Sequence, residues 1–170
     1  MRNFKELTQI EAQSGDFDII RDWKSFSGVA LRKRLRSKIY PLDENFTVVM
    51  YESYPLHNNN YNLLLNNIIG PDVLFLGGGI NLLAKGLEGE GFLIDCVEIE
   101  QDIVNLMQQD LFNNLFVADA ETYTPTKQYD CIIMDIFETK ENNYEQRRAS
   151  LKNKYLPYLK SNGKYLELDF

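Results

Sequence analysis

The feature that most constrains this chain is a regular alternation in its second half. Short apolar runs, each of strand length, are separated by stretches that can be helices. Val73-Leu74-Phe75-Leu76 runs into Gly77-Gly78-Gly79, and further apolar runs occupy residues 92–99, 115–118, 129–136 and 164–170, the last introduced by Asn162-Gly163. Helical stretches fall at residues 80–87, 101–111 and 144–159, with another at 61–69 that Gly70-Pro71 stops. Strands too apolar to face water, alternating with helices, predict βαβ units with right-handed crossovers and a parallel sheet covered on both faces. The expected fold class is therefore α/β, a Rossmann-like doubly wound, mostly parallel sheet. It is truncated after the fifth core strand and preceded by a small N-terminal α+β extension. The division expected is an extension over residues 1–50 and a Rossmann-like domain over 51–170, with residues 46–51 (FTVVMY) as a strand.

In the extension, helical and turn signals alternate around Trp23, Phe26 and Tyr40. Arg32, Lys33, Arg34, Arg36 and Lys38 form a basic run, and Leu31, Leu35 and Ile39 recur at intervals of four. That spacing predicts an amphipathic helix with a solvated basic face, with an anionic partner as the competing reading.

Charge narrows the partners. The 170 residues carry a net charge of −7. Residues 1–40 hold nine Lys/Arg against five Asp/Glu, so the acidity belongs to the remainder. Such a balance argues against nucleic acid, whose binding rests on clustered cations, and leaves a small cationic or amine substrate as the natural partner. No apolar run reaches the ~20 residues of a membrane span, so a cytoplasmic, soluble protein without a membrane partner is expected. Cys96 and Cys131 lack metal-ligand spacing, and His57 is the one histidine, in a polar tract, so no metal is expected. Neither a nucleophile elbow nor a P-loop lysine is present, which sets hydrolase and NTPase readings aside.

Ligands of open α/β sheets bind beyond the carboxyl ends of the strands, so the residues ending each run matter most. The first run ends in Gly77-Gly78-Gly79, the second in Glu98-Ile99-Glu100, the third in Asp119-Ala120 and the fourth in Asp135-Ile136-Phe137-Glu138. Glycines allow a tight turn and close approach of a ligand. Glu98 lies 21 residues past Gly77, near the ~20-residue offset at which an acid reaches a ribose hydroxyl pair. Asp119 can accept from an exocyclic amine such as that of adenine. A dinucleotide fits poorly, because Leu82 stands where the third glycine of GxGxxG belongs. Acids around the pocket favour a ligand with a positive sulfur, S-adenosylmethionine or its decarboxylated form. Each signal has a plainer reading: the glycines as a simple turn, Glu98 as an N-cap for the helix at 101, Asp130 as a turn residue. The conjunction of four strand ends favours the nucleoside.

At these residues the sequence resembles the class I S-adenosylmethionine-dependent transferases and, within them, the spermidine synthase-like (polyamine aminopropyltransferase) family. Residues 73–79 look like that family's strand and glycine loop, 96–100 its ribose-binding strand end, and 129–135 its fourth strand. The segment 118–120 resembles the one that contacts adenine, adding Ala120 to the cofactor-binding set. The resemblance implies aminopropyl transfer to an amine, with Asp135 orienting or deprotonating the nucleophile and Glu138 holding a second ammonium. It departs from the family at Ile80 and Asn81, where an acid is usual, and in ending at Phe170, so either a minimal version or a homo-oligomer that completes the sheet is expected. A small methyltransferase and a non-catalytic nucleoside-binding module are the alternatives. Tyr51 and Tyr54 are acceptor-side candidates, with core packing as the competing role.

Overall fold

A computed structural model describes residues 9–15, 17–25, 29–37, 48–53, 64–79, 82–136 and 143–167. Among the described residues, nine strands fall into two sheets. β1 (Gln9–Ser14), β2 (Phe17–Ser25), β3 (Val29–Ser37) and β4 (Val48–Ser53) form an antiparallel meander in sequence order. The second sheet is parallel throughout. Its strands are β5 (Asp72–Leu76), β6 (Leu93–Glu98), β7 (Asn114–Val117), β8 (Tyr129–Met134) and β9 (Leu159–Glu167), in the order β7-β6-β5-β8-β9. This is the expected Rossmann-like sheet, and its helices are α1 (Leu82–Gly86), α2 (Gln101–Leu106) and α3 (Tyr144–Tyr155).

The basic run is not a helix. Arg32 to Arg36 lie in β3, paired with β2 so that Asp22 stands opposite Arg32 and Asp18 opposite Arg36, while Lys38 and Ile39 lie outside the described residues. The reason is arithmetic: residues four apart share a face in a strand of period two as well as in a helix of period 3.6. The helix expected at 61–69 is described only in part, with residues 64–65 helical.

The parallel sheet separates its side chains by parity. Val73, Phe75, Cys96, Cys131 and Ile133 join Leu83, Ala84, Ile103, Val104 and Met107 on one face. Leu74, Leu76, Val97, Ile132 and Met134 join Leu151 and Tyr155 of α3 on the other. Strands buried on both faces explain why the sequence runs are continuous rather than alternating. At roughly 25 cal/mol per Å² of apolar area removed from water, this two-sided burial is the main stabilising term.

The amino ends of the strands carry a charge network. Lys127 Nζ lies 3.2 Å from Asp72 Oδ1 and 3.1 Å from Asp95 Oδ2, while Lys160 Nζ lies 2.7 Å from Asp72 Oδ2 and 2.8 Å from Asp130 Oδ2. Asp95 is buried, and it also accepts from the Tyr129 hydroxyl at 3.0 Å and from Asn114 Nδ2 at 2.7 Å. Asp130, expected to be a mere turn residue, accepts the Asp72 N–H at 2.9 Å and so ties β8 to β5. Satisfying each charge in this way avoids the cost of burying it unpaired.

The tip of the β1–β2 hairpin docks on α2. Ser14 Oγ donates to Asp102 Oδ1 at 2.6 Å and accepts from Asn105 Nδ2 at 3.2 Å. The antiparallel sheet is thus anchored to the helix that follows Glu98.

Lys127→Met should lower stability in urea by about 2 kcal/mol, because Asp95 loses its ionic partner while staying buried. The Lys160 ammonium holds Asp72 and Asp130 below their ordinary values. Their contribution should be full at neutral pH and fade as pH falls through those lowered values, so Lys160→Met should be less stable than wild type in urea at pH 7, with the gap closing toward acid pH.

Candidate functional site

The strand order locates the site. The chain lays β6 and β7 successively outward from β5, then returns to place β8 and β9 on the other side. The direction reverses between β5 and β8, and a crevice opens beyond the carboxyl ends of strands at such a point. The residues there are Gly77 at the end of β5 and Asp135 at the end of β8, with Glu98 on the other flank at the end of β6.

The glycine loop is held from both sides. Gly77 N donates to Val97 O at 2.9 Å, and Asp135 N donates to Leu76 O at 2.8 Å. Gly77 has φ +85°, a region that favours glycine, and a Cβ there would collide with the Asp135 carbonyl. A Cβ on Gly78 would collide with the Met107 methyl and lie 2.7 Å from Cys96 Sγ. At Gly77 and Gly78 the absent side chains therefore also admit the protein's own neighbours, a close approach of core to loop.

Glu98 is buried at 7% exposure. Its Oε2 accepts from Gly78 N at 3.0 Å and Gly79 N at 3.4 Å, and its Oε1 accepts from Glu100 N at 3.2 Å. It is no helix cap, since Glu100 occupies the N-cap of α2. A carboxylate offers about four lone-pair sites, so Glu98 keeps capacity for a ribose hydroxyl while it holds the loop.

Asp135 is the unusual group. The residue is partly exposed, yet Oδ1 is buried without a hydrogen-bond partner. Burial, and then the neighbouring Glu98 charge, push its carboxyl up to about 7. An orphaned polar atom in a crevice, beside a second acid, fits a polar or cationic ligand that supplies the missing partner.

The other expected residues stand differently. Asp119 Oδ1 accepts from Glu121 N at 2.8 Å, closing its own turn after β7. The Ala120 carbonyl accepts from Tyr155 Oη at 2.8 Å and Lys154 Nζ at 3.0 Å, which ties α3 to the sheet. Asp119 and Ala120 thus shape the loop after β7, next to the end of β6, where Ala118 N donates to Glu98 O at 3.0 Å. Glu138, Tyr54, Ile80, Asn81 and His57 lie outside the described residues, and Tyr51 falls in β4, opposite Arg34.

Sequence reasoning passed over Ile99. It is 58% exposed, directly after Glu98 and at the same edge. An apolar side chain left in water between two acids was a readable signal, because such a residue gains by being covered. A groove of about 300 Å³ beside α3, lined by Glu121, Arg147, Ser150, Leu151 and Lys154, was likewise not foreseen. There Arg147 Nε meets Glu121 Oε1 at 2.6 Å.

Neither a protein-family model nor a curated protein matches this sequence. Solved structures do. The glycopeptide N-methyltransferase MtfA in complex with (S)-adenosyl-L-methionine is similar with a TM-score of 0.51 at 16% identity, over 62% of this chain and 47% of that one. DhpI in complex with SAH is similar with a TM-score of 0.51 at 16% identity, over 64% of this chain and 54% of that one. The chain spans about half the length of these structures. At such identity the likeness is one of fold: the parallel sheet and its helices match the Rossmann-like fold of these structures. Among the described residues no helix is long and apolar enough to cross a membrane.

Gly78→Ala should destabilise the protein by about 2 kcal/mol in urea unfolding, through overpacking against Met107, and a second change, Met107→Ala, should recover part of that loss. Because the native Asp135 carboxyl binds its proton more tightly than the unfolded one, its contribution should fall as pH rises between about 4 and about 7. Asp135→Asn should remove that slope from a series of unfolding curves and leave the variant the more stable protein at pH 8.

Proposed function

We propose that the chain binds S-adenosylmethionine at the carboxyl edge of the parallel sheet and transfers its methyl group to a small amine or other nucleophilic acceptor. The observation that carries this reading is the meeting of three neighbouring strand ends at the switch point: the Gly77–Gly79 loop, Glu98 tied to its amides, and Asp135 with its unpartnered oxygen. Glu98 would take the ribose hydroxyls, Ile99 would cover one face of the adenine ring, and the Asp119–Ala120 turn would border the base. Asp135 would lie beside the reacting atoms, where a carboxylate favours positive charge.

Methyl transfer is preferred to aminopropyl transfer because the N-methyltransferase MtfA, solved with (S)-adenosyl-L-methionine, with (S)-adenosyl-L-homocysteine and with sinefungin, shares this fold. The acceptor nitrogen would donate its lone pair to the methyl carbon as the carbon–sulfur pair returns to sulfur. Positive charge thereby moves from sulfur to nitrogen, and the proton then leaves the nitrogen. Holding nitrogen, carbon and sulfur in line is the chief contribution a site of this kind makes. Glu138 is carried in this reading as an acceptor-side acid. Pairing with a second copy along the side of β9 that no described strand occupies belongs to the same proposal.

Titration calorimetry with S-adenosylmethionine should give saturable binding that Glu98→Ala weakens at least about tenfold, since the variant loses both the loop clamp and the ribose acceptor. Mass spectrometry after incubation with a panel of amines should show products heavier by one methyl group. Products heavier by an aminopropyl group from the decarboxylated nucleoside would move the assignment to that chemistry. Binding without any product would make the chain a nucleoside-binding module, and no binding at all would end the nucleoside reading.

A further inference from the structure

We infer that Asp135 reads the charge on the bound nucleoside's sulfur, so that the site holds the cationic sulfonium substrate and lets go of the neutral thioether product. This rests on the nucleoside reading and adds to it a means of discrimination. The geometry supplies the reason. Asp135 follows β8 at the switch point, with its backbone carbonyl against Gly77 and its N–H on Leu76 O. Its Oδ1 is buried and lacks any partner. Glu98, on the far side of the loop, has both oxygens engaged by backbone N–H groups and so is held in place as a second negative charge.

Two acids set so close in a crevice cannot both ionise cheaply unless a cation joins them. Among the described residues, the titratable groups that act on the Asp135 carboxyl lie on β6: the Glu98 carboxylate, and the Cys96 thiol, itself pushed up by burial and by Glu98 and Asp135. After β5, Gly77 abuts the Asp135 backbone carbonyl and brings no charge. On β9, Glu167 pairs in register with Met134, but Arg148 holds it at 2.7 Å. None of these supplies a positive charge to Asp135.

A ligand that carries one should therefore bind the ionised form of Asp135 and displace its proton, whereas a neutral ligand leaves the proton in place. The two nucleosides differ by one methyl group and one charge at sulfur, so the discrimination falls on the atom that reacts. Transfer of the methyl group removes the charge that held the ligand, and product affinity drops as a consequence of the reaction itself.

The test is calorimetry with three probes: S-adenosylmethionine, S-adenosylhomocysteine, and sinefungin, whose amine places a positive charge near the sulfur position. At pH 8 the wild type should bind the two cationic probes about tenfold or more tightly than the thioether. Near pH 6.5, titrations in buffers of different ionisation enthalpy should show proton release with the cationic probes and none with the thioether. Asp135→Asn should bring the three affinities within about threefold of one another and abolish the proton release, with thioether binding kept. Equal wild-type affinities, or a variant that loses all three probes in parallel, would overturn the charge-reading role while leaving the nucleoside reading intact. Failure of every probe to bind wild type would overturn both. The proton-release measurement on wild type needs no variant, so a folding defect in Asp135→Asn cannot hide the answer.

Discussion

The buried carboxylate of Glu98 is the interaction on which the carboxyl edge of the sheet depends. It sits at the end of β6 and accepts N–H groups from Gly78, Gly79 and Glu100. One side chain thus ties the loop after β5 to the loop after β6. A carboxylate bound by several amides is strongly held, since charge-assisted hydrogen bonds are roughly twice as strong as neutral ones. The edge is ordered by this contact, and Asp135 then faces a fixed neighbour.

Much of the parallel sheet was legible in the sequence, because strands buried on both faces leave continuous apolar runs. Val73–Leu76 and the run through Ile132 and Ile133 could be little else once helical stretches separated them. The antiparallel sheet was misread at β3 for a definite reason. Leu31 and Leu35 lie on one face in either period, and Lys33, opposite that stripe in a helix but on the leucine parity in a strand, favours the helix. The pairing with β2 decides for the strand, and the local pattern does not contain it.

The site divides in the same way. That Gly77, Glu98 and Asp135 share an edge follows from strand order, which the alternation implies. What each does there depends on distances no pattern contains. Gly78 makes room for Met107 and Cys96, which lie 29 and 18 positions further along. Asp119 turned inward on its own loop because an Asp followed two residues later by a free N–H closes a turn readily. The network of Asp72, Asp95, Asp130, Lys127 and Lys160 was invisible because its members are scattered over β5, β6, β8, β9 and the loop before β8, and only the register aligns them.

The pairing of β9 with β8 has a consequence for how this fold tolerates change. Tyr129 lies opposite Leu159, yet Cys131 lies opposite Lys164, so two steps along one strand match five along the other. The surplus around Asn162-Gly163 leaves the ladder and rejoins it. Lys160, before the surplus, is fastened to Asp72 and Asp130, while Glu167, after it, is fastened to Arg148. With both halves moored separately, the intervening loop behaves as slack in a rope tied at two posts: residues can be added or removed there without shifting either anchorage.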